Sequence, residues 1–152
     1  MRRIVLAAVL LVPGMTGADD EVNRAELKAL CGTWVAVSGE GNGKAIPKEE
    51  LPVQWTFKAE GKAVFAHRER GDEARYSYTI DPSKKPKTID ITYEEPSAAL
   101  KNTKQFGIYK IEKSELTLCV TGIGTKEKDR PKDFTTKAEG VLLLKLERAQ
   151  DK

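Results

Sequence analysis

The stretch Cys31-Gly32-Thr33-Trp34 divides this chain of 152 residues into two kinds of sequence. Before it, apolar residues recur at helical spacing. After it they alternate, and no later segment reads as a helix. Gly32 supplies a left-handed stop for a short preceding helix, and Trp34 sets a large ring at the start of the first strand. Arg148 ends the last apolar run. In a sheet closed on itself the first and last strands are neighbours, so this guanidinium would lie over the indole and contribute roughly 0.5–2 kcal/mol. The other reading is a plain core tryptophan and an exposed tail charge.

Working outward, alternating segments fall at 33–40, 53–59, 63–70, 74–80, 88–93, 105–112, 115–121 and 141–148. Gly41-Asn42-Gly43, Glu60-Gly61, Gly71-Asp72, Asp81-Pro82 and Lys113-Ser114 punctuate them. The parities sort cleanly. Val53, Trp55 and Phe57 share one face; so do Tyr76, Tyr78 and Ile80, then Ile89, Ile91 and Tyr93, then Leu116, Leu118 and Val120, and last Leu142, Leu144 and Leu146. One dry face on successive antiparallel strands describes a meander. With about eight strands and no second layer, that face is best buried by closing the sheet. The expected fold is therefore all-β, an up-and-down antiparallel barrel of about eight strands with a short N-terminal helix.

Loop lengths give the barrel two unlike ends. The connections 41–52, 94–104 and 122–140 are long and fall at one end, while those at 60–61 and 113–114 are tight and fall at the other. The pattern describes a barrel closed below and leaves the upper mouth either open or stopped. Asn23 and Glu26 fit a capping box for a two-turn helix, whose Leu27 and Leu30 share a face and would plug the closed end.

The first eighteen residues read as an export leader. Met1-Arg2-Arg3 is positive, Ile4 to Val12 is apolar, and Thr16-Gly17-Ala18 is a small-residue cleavage site. Pro13-Gly14 ends the apolar run far short of the roughly 20 residues a spanning helix needs. Removing eighteen of 152 residues leaves a single domain of 134, residues 19–152, exported to the periplasm, cell envelope or medium. Arg2 and Arg3 leave with no acid, so the net charge falls from +3 to +1. A nearly neutral domain gives no electrostatic ground for a nucleic-acid partner, and no membrane span remains once the leader is gone. Lys84-Lys85-Pro86-Lys87 is the one basic cluster and reads as a solvated turn.

The chain resembles an uncharacterised group of small exported lipocalin-like domains best known from planctomycete bacteria. The likeness spans about Leu30 to Arg148 and runs through LCGTW, SGEGNGKAIP, YTIDPSKKPKTIDI, GIYKIEKSELTLC, RPKDFTTKAEG and LLLKLER. It implies a lipocalin-like barrel and no particular activity, since the group has no assigned function and no catalytic residues to carry over. Cys31 departs from the group's pattern, where a polar residue is more usual.

Chemistry-bearing constellations are sparse. No serine elbow, Gly-rich phosphate loop or paired-carboxylate motif stands out, so the sequence points away from an enzyme. A metal site would have to recruit Cys31, Cys119 and His67 from distant positions without any compact ligand spacing; neither metal nor cofactor is expected. A disulfide between the cysteines meets a geometric objection. Cys119 lies roughly 13 Å up its strand at ~3.3 Å per residue, with one strand between it and Cys31, and a bridge tolerates Cα separations of about 7 Å at most. Its parity points Cys119 outward.

The remaining candidate is the interior. Nine of the ten aromatic residues lie on strands, Phe134 being the exception. Trp55, Phe65, Tyr76 and Tyr78, with the lone histidine His67, are the residues expected to line a site for a small apolar or aromatic ligand. The plain reading of His67 is a partly buried or rim histidine; in a ligand site it would stand in the middle with Tyr78, and Trp55 and Tyr76 in the mouth half, well away from Trp34. Barrels of this size are just wide enough to hold one small ligand or to be filled by side chains. If filled, the long loops would serve instead, for a protein partner or a cell surface.

Overall fold

The computed structural model describes residues 17–150, so most of the expected leader lies outside the described residues. A helix, α1 (Gly17–Leu30), leads into β1 (Gly32–Gly41), β2 (Lys44–Ala45), β3 (Val53–Lys58), β4 (Lys62–His67), β5 (Glu73–Asp81), β6 (Lys87–Glu95), β7 (Lys104–Glu112), β8 (Glu115–Thr121) and β9 (Val141–Arg148). From β3 to β9 each strand pairs antiparallel with the next, and β1 pairs with both β3 and β9. Eight strands thus close into an up-and-down barrel, with β2 as a short extra strand. The inward parities hold throughout: Trp55, Phe57, Tyr76, Tyr78, Ile89, Ile91, Tyr93, Leu116, Leu118, Leu144 and Leu146 are all buried in one core.

Three local features differ from expectation. The helix has fourteen residues rather than two turns, so Asn23 lies inside it and caps nothing. Asp19 and Asp20 occupy its first turn, where carboxylates suit the positive end of the helix dipole. Glu26, instead of reaching back to a cap, accepts a 2.7 Å bond from Lys87 Nζ and ties the helix to the start of β6. Leu27 and Leu30 pack on the barrel core as their spacing requires.

The second difference is register. β9 runs along β1 from Trp34 opposite Arg148 to Gly41 opposite Leu142. On the other edge of β1, the short β3 covers only the base half, and β2 takes the end, with Glu40 opposite Ala45. Trp55 therefore stands directly opposite Trp34. The two tryptophans are cross-strand neighbours, and the expectation that Trp55 sits well away from Trp34 is wrong.

The third is the parity of β1 near the mouth, which is stopped. A bulge at Val37 resets the parity of β1 and turns Gly39 inward. A Cβ on Gly39 would come within 2.9 Å of Leu51 Cδ2, 3.0 Å of Ile46 Cδ1 and 3.1 Å of Leu144 Cδ2. Glycine is needed here because the loop 42–52 folds inward, and Ile46 and Leu51 stop the barrel from above.

Candidate functional site

The interior residues come together, but as a packed stack. Trp55 lies 5.6 Å from Phe57, 5.1 Å from Phe65 and 5.2 Å from Tyr76, centroid to centroid. Tyr78 meets Phe57 edge-on at 5.2 Å, and Tyr93 meets Tyr76 likewise. These offset and edge-to-face contacts are the stable arrangements of aromatic rings. They fill the side of the interior lined by β3 to β6. Tyr78 donates its hydroxyl to Lys58 O at 2.7 Å, which places it in the base half rather than the middle.

Burial governs the acid–base character of these rings. The Tyr76 hydroxyl is pushed up to about 12 by desolvation and then by neighbouring Tyr93. Tyr78 and Tyr109 are also driven upward, chiefly by burial. Among the described residues, two buried side-chain polar atoms have no hydrogen-bond partner, Trp55 Nε1 and the Tyr109 hydroxyl. The latter lies beside the Glu26 carboxylate, whose charge adds to the upward push on the phenol.

His67 does not join the stack. β4 ends at His67 and does not continue to residue 70, so the imidazole stands at the rim opposite Val53 and not in the middle. Its Nδ1 accepts the Arg70 N–H at 3.2 Å, and its backbone N–H donates to Asp72 O at 2.9 Å. These bonds build the 68–72 turn. Among the described residues no group of three or more Cys, His, Asp or Glu side chains is placed to hold a metal ion. Cys31 and Cys119 are free thiols.

The base is locked by the expected residues. Arg148 Cζ lies 4.2 Å from the Trp34 ring centroid. Trp34 Nε1 donates to Leu30 O at 2.7 Å, while Arg148 donates to Cys31 O at 2.8 Å and Ala29 O at 2.6 Å. Gly32 has φ +121°, and a Cβ there would come within 2.6 Å of Arg148 Nη1. The glycine satisfies a backbone demand and leaves room for the guanidinium at once.

The long segment 122–140 forms no part of the mouth in the way its length implied. It descends as a strap over the outer face of β6 to β9. Arg130 donates to Gly107 O at 2.9 Å and Ile89 O at 3.2 Å, pairs with Asp90 at 2.6 Å, and stacks on Phe106 at 5.2 Å. Beneath the strap, Phe134 and Leu143 pack on Ile108, Cys119 and Val141 in a second small core. Cys119 does point outward, yet it is fully buried, and this burial pushes its thiol up to about 11. The return limb is knitted to the loop after β1. Thr136 donates to Glu40 and accepts from Gly43 N, and Asn42 Oδ1 accepts from Gly140 N. Alternation along single strands did not reveal Arg130 or Phe134. The clue was an apolar outer face at Phe106, Ile108 and Leu143, which needs a cover.

The surface concavities lie on the outside of the barrel. One groove of about 590 Å³ runs along the outer face of β3 to β5, with Gln54, Thr56 and Val64 on its floor and the Lys62–Glu94 and Arg75–Glu95 ion pairs at its edges. Comparison of the chain with protein-family models, with curated proteins and with solved structures finds no match.

Proposed function

We propose that this chain is an exported, non-enzymatic binding module of the lipocalin-like kind it resembles, and that it recognises a protein or cell-surface partner through its exterior. One observation carries the reading. The space where a ligand would sit is taken by the interlocked rings around Trp55, beneath the Ile46–Leu51 stopper. Small-molecule sites are usually largely pre-formed concavities of ≈ 300–1,000 Å³. The elements free to meet a partner are the loops that follow β1 and β6 and the strap, with exposed Leu100 and Ile123 at the mouth end.

A second reading keeps the interior as a small-molecule site. It is favoured by Trp55 Nε1, a buried donor with no acceptor, which a ligand could supply. A panel of fatty acids, isoprenoids, haem and aromatic compounds separates the two. Because the tryptophans are adjacent, Trp34→Phe is needed to isolate the Trp55 emission. The exterior reading predicts that no compound moves that emission or the melting temperature. A saturable change with a raised melting temperature would favour the interior, since a ligand bound only to the folded state stabilises it by mass action.

Export is tested by the intact mass of protein recovered from the cell envelope or medium, which should begin at Asp19. Cleavage there spares Glu26, Leu27 and Leu30, the residues that dock α1. A full-length chain confined to the cytosol would contradict it.

A further inference from the structure

A pocket between the turn 82–86 and the strap belongs to neither the barrel interior nor the mouth. Its volume is about 250 Å³, and its exposed lining is almost wholly apolar. Pro82 and Pro86 come from the turn and Phe134 from the strap, with buried Tyr109 behind them. The rim is basic, formed by Lys84, Lys85, Lys87 and Lys110. Lys87 is positioned by Glu26, and Lys110 sits 5.2 Å from the Phe134 ring and 3.5 Å from Glu112. Lys84 and Lys85 are exposed, and neither forms an ion pair with a described residue. The nearby Asp81 carboxylate accepts the Ser83 N–H at 3.0 Å and also feels the Lys84 charge, though the two form no ion pair.

We propose that this pocket docks an acidic segment of a partner protein, with one apolar side chain on the Pro82–Pro86–Phe134 floor and flanking carboxylates on the lysines. This rests on the reading that recognition lies on the exterior. Three features select the occupant. The volume falls below the ≈ 300–1,000 Å³ of small-molecule sites and suits a single side chain. An apolar anchor inside a polar rim is how interface energy is usually concentrated. The lysines supply the complementary charge, which sets encounter rate and specificity. A bilayer would meet the lysines but not a recessed floor, since membrane-surface binders bury a projecting apolar face.

The test is fluorescence anisotropy of a labelled Glu-Asp-Phe-Glu-Asp peptide titrated with the mature chain. Saturable binding is expected, weakened at least tenfold when the peptide's Phe becomes Ala or its acids become amides, and likewise by Lys84→Glu with Lys85→Glu. Both lysines are exposed, so the melting temperature should not move with the charge reversal. Equal binding of all three peptides, no binding, or indifference to the charge reversal would overturn the proposal. So would binding to anionic phosphatidylglycerol vesicles in place of the peptide. A partner crosslinked in the host from position 100, and indifferent to the charge reversal, would remove this pocket while leaving exterior recognition standing. A small molecule found inside the barrel would remove the exterior reading itself.

Discussion

Arg148 Cζ lies over the Trp34 ring at 4.2 Å and the same guanidinium donates to the carbonyls of Ala29 and Cys31, so one side chain joins the last strand, the first strand and the end of α1. A cation at the helix C-terminus satisfies the orphan carbonyls and complements the dipole. Trp34→Ala should cost about 3–5 kcal/mol as a buried aromatic deletion. Arg148→Ala should cost less. Because the groups touch, the two losses should be non-additive. Additive losses in a double-mutant cycle by chemical denaturation would mean that the contact carries no coupling energy.

This lock was legible because both its parts are sequence landmarks at the chain's two ends. The inward parities were legible for a related reason: in a half-wet meander, Tyr76, Tyr78, Ile89 and Ile91 can face only one way. What escaped was anything set by register or by packing outside the alternation. The bulge at Val37 inverts the face of Gly39, and nothing in Val-Ser-Gly announces it. The six residues of β3 against ten of β1 bring Trp55 beside Trp34, a consequence of strand length that loop counting missed. Within the candidate site, Trp55, Phe65, Tyr76 and Tyr78 were correctly gathered as an interior set. Whether they leave space depends on ring angles and on Ile46 and Leu51, which belong to a loop. His67 stands where its plain reading as a partly buried rim histidine puts it; only its place in the middle of a ligand site fails, because alternation cannot tell where a strand stops.

The strap should open locally before the barrel unfolds. Its hold on the sheet is concentrated in Arg130, whose charge-assisted bonds are worth about 1.5–3 kcal/mol. In a Cys31→Ser background, Cys119 is the sole thiol, buried under Phe134. Arg130→Ala should accelerate its reaction with a thiol reagent severalfold or more, with little change in the melting temperature of the barrel. Acceleration that only tracks global stability would show that strap and barrel open as one unit.

Alkali should unfold the protein cooperatively. Tyr76, held up to about 12, and Tyr78 and Tyr109, also raised, stay neutral in the folded state after unfolded tyrosines ionise near 10. Above that pH the unfolded chain binds fewer protons than the native one. Their stabilisation is therefore complete below pH 10 and is lost as pH rises toward the folded values, by at most about 1.4 kcal/mol per unit for each ring. The tyrosinate absorbance of these three should rise in step with loss of the circular dichroism of the barrel. A smooth titration of Tyr76, Tyr78 and Tyr109 near pH 10 with the fold intact would contradict the packing of the interior.

The barrel is filled by its own side chains, and the proposed function places its action on the outside. Native mass spectrometry of protein purified gently from its own host addresses it most directly. The expected mass is that of the bare mature chain, with any partner that co-purifies being a protein. A stoichiometric small molecule that leaves only on unfolding would contradict it, and would make the unpartnered Trp55 Nε1 the first contact to look for.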